Sequence, residues 1–109
     1  MEAQLCPKFE EAMHLLSKRW VGLVLSELLK GPRRFSEMEA NLPISGRLLS
    51  DRLKMLEKEN IVMRSVYTEY PVRIEYTLTP KGEALEPVIQ AIKQWSGHWV
   101  QASQHEYSK

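Results

Sequence analysis

Residues 35–78, FSEMEANLPISGRLLSDRLKMLEKENIVMRSVYTEYPVRIEYTL, change period part-way along, and that change decides the fold. "FSEMEANL" (35–42) reads as a short helix that Ser36 can cap, with Glu39 at capping-box spacing. "LPISG" (42–46) punctuates the chain, and Ser45 is the expected N-cap of a second helix, stapled by Ile44 and Leu49. Leu49, Leu53 and Leu56 recur at helical spacing as a buried stripe. Arg47, Asp51, Lys54 and Lys58 fall on the opposite face, with Arg52 on its flank. "IVMRSVY" and "VRIEYTLT" then alternate around "TEYP" (68–71), which predicts an antiparallel hairpin. In its second strand Val72, Ile74, Tyr76 and Leu78 share one face, and Arg73, Glu75 and Thr77 the other. A short helix, a tight turn, a cationic helix and a hairpin make a winged helix-turn-helix.

The flanks are helical. Pro7 suits a first helical position and Glu10 and Glu11 suit the first turn. Phe9, Met13, Leu16 and Trp20 then give one apolar face to a helix over about 7–20. "WVGLVLSELLKG" (20–31) is apolar on nearly all sides and reads as a central buried helix ended by Gly31-Pro32. Thr79-Pro80 opens a last helix over about 80–102, with Leu85, Val88, Ile89, Ile92, Trp95 and Trp99 on one long stripe. The end, "QASQHEYSK", is polar and expected to fray. The fold class is therefore mainly α with a small β-hairpin (α+β), one domain over 1–109, with the helix-turn-helix at about 35–59 and the wing at about 61–78. The stripe is long for so small a domain to bury against itself. Phe9, Met13, Leu85, Val88, Ile89, Ile92, Trp95 and Trp99 are thus expected to form a two-fold dimer interface from the terminal helices, unless those helices merely cover their own core.

Composition excludes several classes. Hydrophobic content of 43% and charged content of 27% argue against disorder. No apolar run approaches a membrane span, and "MEAQLCPK" lacks a signal pattern, so a cytoplasmic protein is expected. A single cysteine excludes an internal disulfide and a multi-cysteine metal site. His14, His98 and His105 have no metal-ligand spacing, and neither a Gly-rich phosphate loop nor a Ser-His-Asp signature is present. No catalytic residue, metal or cofactor is expected, and the chain does not read as an enzyme.

Double-stranded DNA is the expected partner. Net charge is +1, but residues 31–58 carry six basic against four acidic side chains, a weak local footprint. Arg47 and Arg52 are candidates for base edges, because a guanidinium can bond guanine bidentately. Ser45, Ser50 and Lys54 suit phosphate or adjustable contacts, and Arg73 is the wing cation best placed to reach the neighbouring groove. Asp51 repels phosphate there unless it pairs with Arg47 or Arg52, or accepts from a cytosine amine. Two other readings stay open: a merely solvated basic face, and a winged helix that binds protein instead of DNA.

"CP" at 6–7, "LLSKRWVGLVLSELLKGPRRFSEM", "LPISGRLLSDRLKMLEKENIVMR" and "YPVRIEYTLTPKGEAL" together resemble the HxlR-type winged-helix regulators, a branch near the MarR regulators. The resemblance covers residues 6 to about 95 and implies a homodimer on palindromic operator DNA, usually a repressor. "CPKFEEAMHLLSKRW" looks most like the thiol-based quinone- and diamide-sensing repressors of Firmicutes. By position, the resemblance makes Cys6 the reactive thiol and electrophilic small molecules the partners. Some such sensors have a second cysteine, which this chain lacks; the resemblance then implies a Cys6–Cys6 bond between subunits, a mixed disulfide or direct alkylation. Cys6 stands at a helix start, where the dipole favours a thiolate; Lys8 is close, Lys18 and Arg19 could be brought near, and Glu10 and Glu11 oppose. An inert, buried thiol is the plainer alternative, and control by a reversible small ligand between the terminal helices and the winged core is another.

Overall fold

Leu49, Leu53 and Leu56 are fully buried, and the computed structural model, which describes residues 6–101, is organised around them. They belong to α4 (Gly46–Lys58), which follows α1 (Pro7–Leu16), α2 (Val21–Leu28) and α3 (Phe35–Asn41). After α4 come β1 (Val62–Tyr67), β2 (Arg73–Leu78), α5 (Pro80–Glu83) and α6 (Glu86–Trp99). The core adds Val21, Val24, Leu25 and Leu28 of α2, Met38 of α3, Ile61 and Val62, and Tyr76 of β2. This is the mostly helical winged arrangement expected from the change of period.

Both ends of α4 are built as the sequence implies. The Ser45 hydroxyl accepts from the Leu48 N–H at 3.2 Å, and Ile44 and Leu49 are buried on either side of that cap. At the other end Asn60 adopts a left-handed φ of 62°, the Ile61 N–H donates to the Leu56 carbonyl, and the Asn60 N–H donates to that of Glu57. That paired closure turns the chain straight into the wing. The hydroxyl of Thr79 and the Lys81 ammonium also donate to the carbonyls of Asn60 and Glu59, at 2.6 and 2.7 Å.

β1 and β2 pair antiparallel with Val62 opposite Leu78 and Tyr67 opposite Arg73. The stub at Arg33 adds a third, single-residue edge, its N–H and carbonyl both bonded to Tyr76 at 3.0 and 2.8 Å. The faces of β2 are less distinct than alternation implies. Val72 lies before the strand and is exposed, while Arg73, Glu75 and Thr77 are half-buried.

Three expectations are corrected. The first helix ends at Leu16, not about residue 20, because Trp20 takes a left-handed φ of 79°. For so bulky a residue that conformation costs about 1–3 kcal/mol, offset here by packing of Trp20 on the core and by the Arg19 guanidinium 4.6 Å over its ring. Second, the last helix is two. Pro80 and the Thr79 cap start α5, which stops at Glu83, and α6 ends at Trp99 instead of about 102. Gly82 permits the close approach of α5 to the chain after α4, since a Cβ there would collide with the carbonyl oxygen of Ile61. Third, Ser36 does not cap α3. Arg34 takes that position and its N–H donates to the Glu37 carboxylate at 2.8 Å. Residues 102–109, with His105, lie outside the described residues.

Candidate nucleic-acid interface and thiol site

The outward face of α4 carries Arg47, Asp51, Lys54 and Lys58, all exposed, with Leu48 beside them. Ser45 is exposed at the N-cap and Ser50 is half-buried. Among the described residues Asp51 forms no ion pair with Arg47 or Arg52, so one of its two expected roles falls away. The face presents three cations and one acid along its length, and Arg47 alone of the cations lies in the first turn, where helix N–H groups also favour phosphate.

Two expected DNA contacts are turned elsewhere. Arg52 is half-buried on the flank of α4, and its Nε donates to the main-chain carbonyl of Arg19 at 2.7 Å. A guanidinium committed that way does not present its full fork to a base. Arg73 is held inside the wing: Nη1 donates to Glu75 at 3.0 Å, Nη2 to Glu69 at 3.3 Å, and the group lies 4.3 Å over the Tyr67 ring. Its charge is neutralised before DNA could reach it. Glu75 lies two residues on, on the same strand face, and that spacing was the available signal. Arg64, on β1, is the exposed wing cation that sequence reasoning missed.

A buried carboxylate supports the interface from behind. Glu27, on α2, is 4% exposed and accepts from Asn41 Nδ2 at 2.6 Å, Arg33 Nε at 3.2 Å and Lys30 Nζ at 3.3 Å. Burial pushes its pKa up, but the bonds from Asn41, Arg33 and Lys30 outweigh that and hold it below the ordinary glutamate value. It ties α2 to the end of α3 and to the Arg33 edge of the wing. One acid inside an apolar helix was the only hint in the sequence.

Cys6 is exposed at the N-cap of α1, with the Glu10 N–H donating to its carbonyl at 2.9 Å. Lys18 and Arg19 do not stand beside it, because α1 puts about 15 Å of helix between them. Lys8 and Glu10 share the first turn with it, and Glu11 follows at the start of the second.

The apolar stripes of α1 and α6 divide. Ile89 is 5% exposed in the core of its own chain and Leu85 is half-buried against it, so neither is offered to a partner. Phe9 is 64%, Trp95 60% and Trp99 70% exposed, and Met13, Val88 and Ile92 are exposed with them. Between α1 and the winged core lies a cavity of about 420 Å³, floored by Leu15, Met55, Ile61 and Leu85 and rimmed by Lys8, Lys18 and Lys81. Among the described residues no three His, Cys, Asp or Glu side chains form a metal site, and no helix is long and apolar enough to cross a membrane.

With this geometry in place, the chain matches the HxlR-like helix-turn-helix family over residues 15–104. The chain belongs to the HxlR family. Its relatives include the uncharacterized HTH-type transcriptional regulator YvaP of Bacillus subtilis, 53% identical over 103 residues, which are 94% of this chain and 95% of YvaP. YodB, an HTH-type transcriptional regulator of the same organism, is 46% identical over 98 residues, 89% of this chain and 88% of YodB. The solved reduced form of YodB superimposes with a TM-score of 0.81 at 44% identity, covering 93% of this chain and all of that one. Its diamide-treated and quinone-bound forms each give 0.76 at the same identity, covering 92% and 87% of this chain and all of theirs. This HxlR-type chain is thus a transcriptional regulator with a DNA-binding helix-turn-helix, and its relatives are not enzymes.

Proposed function

We propose that the chain is a dimeric repressor that grips palindromic operator DNA and lets go when an electrophile or oxidant modifies Cys6. The observation that carries this reading is the exposed Cys6 thiol at the head of a helix whose own apolar face is uncovered. A change at the thiol therefore acts on the element expected to join two subunits. The likeness to YodB, solved in reduced, diamide-treated and quinone-bound forms, supports the same reading. Phe9 and Met13 of α1 with Val88, Ile92, Trp95 and Trp99 of α6 form the interface, and α4 of each subunit enters one major-groove half-site. Arg47 reads a base edge, Ser45, Ser50 and Lys54 hold phosphate or adjust, and unpaired Asp51 accepts from a cytosine amine.

The chemistry needs no further cysteine. A quinone takes the Cys6 sulfur on a ring carbon and becomes a hydroquinone thioether. Diamide accepts two hydrogens from two thiols, which leave as one disulfide between Cys6 of each subunit or between Cys6 and a small thiol.

The test is operator binding by wild type and Cys6→Ser, before and after diamide or a quinone, with intact-mass analysis of each sample. Wild type is expected to bind, gain the adduct or disulfide mass, and release; Cys6→Ser is expected to bind and stay bound. Release of the variant would remove Cys6 from sensing, and no shift at low salt on the region upstream of its gene would remove DNA. The cavity under α1 favours a second reading, a reversible small ligand held there. Tryptophan fluorescence titrated with aromatic compounds distinguishes it, since only this reading gives a saturable response in Cys6→Ser.

A further inference from the structure

We infer that Arg52 is a positioning residue that fastens recognition helix α4 to the Ser17–Trp20 turn after α1, so that the aim of α4 follows α1. The inference rests on the reading that α1 carries the sensing thiol. Three observations converge on that turn. The Nε of Arg52 donates to the Arg19 carbonyl at 2.7 Å, across 33 residues of sequence. Trp20 is left-handed at φ 79°, a conformation that persists only where its surroundings hold it. The Arg19 guanidinium stacks 4.6 Å from the centre of the Trp20 ring, so the residue that offers the carbonyl is itself pinned.

The turn is stiff as well as strained. The Ser17 N–H donates to Met13 at 2.8 Å, Lys18 to Leu15 at 3.3 Å and Val21 to Lys18 at 3.2 Å, which leaves little slack between α1 and α2. A displacement of α1 is therefore carried into the turn instead of being absorbed by it. Arg52 sits on α4 about 7.5 Å along the axis from Arg47, close enough for the Arg19 bond to govern how the groove-facing end is presented. A charged donor on a carbonyl is among the stronger hydrogen bonds and loses strength steeply with angle, so the link is intact in one pose of α1 and broken in another.

Arg52→Ala, Arg52→Lys and Arg47→Ala are to be compared with wild type by anisotropy on the operator and on a set of single-base-pair operator variants. A base reader relaxes discrimination at the base pair it touches, whereas a positioning residue does not. Arg52→Ala is expected to weaken every DNA by about the same factor, about tenfold, with the pattern of discrimination unchanged. Arg52→Lys, which still donates to the Arg19 carbonyl, restores most of it, and Arg47→Ala flattens one base pair. In the same samples diamide is expected to weaken wild type strongly but Arg52→Ala by less than about twofold, because the uncoupled helix no longer senses α1. Flattening at one base pair in Arg52→Ala, or affinities equal to wild type throughout, overturns the inference. So does full release of Arg52→Ala by diamide, which would leave the thiol reading standing. A wild type that diamide does not release would instead sink the thiol reading, and the operator panel alone then decides the role of Arg52.

Discussion

The winged core and the terminal helices treat the same kind of residue in opposite ways. Leu49, Leu53 and Leu56 on α4 and Val21, Val24 and Leu25 on α2 are buried completely or nearly so by their own chain. Ile92, Trp95 and Trp99 follow one another at the same helical spacing on α6 and stand mostly in solvent. Periodicity identifies both as apolar faces and says nothing about what covers them. The core is finished within one chain; the terminal layer is not, and an exposed face of several large apolar side chains on two helices marks an interaction surface.

Substitutions can break that contrast. Leu53→Ala opens a cavity in a site packed on every side, so unfolding in urea should show a loss of about 3 kcal/mol while dimer dissociation, measured under native conditions, is unchanged. Trp95→Ala should do the reverse. If the proposed dimer rests on this face, removing so large a side chain raises the dimer dissociation constant about 30-fold, about 2 kcal/mol, as read by analytical ultracentrifugation, with helix content retained. Equal effects of the two on dissociation would mean that the terminal layer is part of the core.

The smallest of these effects lies in the buried polar hub. Glu27→Gln keeps the shape but loses the charge that Asn41, Arg33 and Lys30 converge on, and about 1 to 2 kcal/mol of stability at neutral pH should go with it. The folded pKa of Glu27 lies below its unfolded value. Its contribution is therefore full above the unfolded value and fades as pH falls through the folded one. Urea melts taken from about pH 7 to about pH 3 should show wild type and variant converging at the acid end. A constant gap would mean that Glu27 acts by packing alone.

What the sequence made legible was local. The Ser45 cap, the Ile44–Leu49 staple, the leucine stripe and the hairpin each depend on residues a few positions apart, and each is present. What it hid was the capture of one side chain by a distant segment. Arg47 and Arg52 are both base-edge candidates by residue type, and only the Arg19 carbonyl, 33 residues away, shows that one of them is engaged within the chain. Arg73 looked free because Glu69 lies across the turn and the Tyr67 ring on the other strand. The break at Trp20 has neither glycine nor proline to announce it, and Ile89 was separated from Ile92 only by the way α6 meets α2, where Lys93 donates to Ser26.

Gly82 sits against the Ile61 carbonyl with no room for a Cβ, at the junction from which α6 departs. A genetic screen for lost DNA binding would therefore recover position 82, although it lies on neither the outward face of α4 nor the uncovered apolar face of α1 and α6. One methyl group there would push α5 off the end of the recognition helix and swing α6 with it. The two surfaces then fall out of step together, and an allele that resembles a DNA-binding defect and an assembly defect at once would have its cause in a single backbone contact.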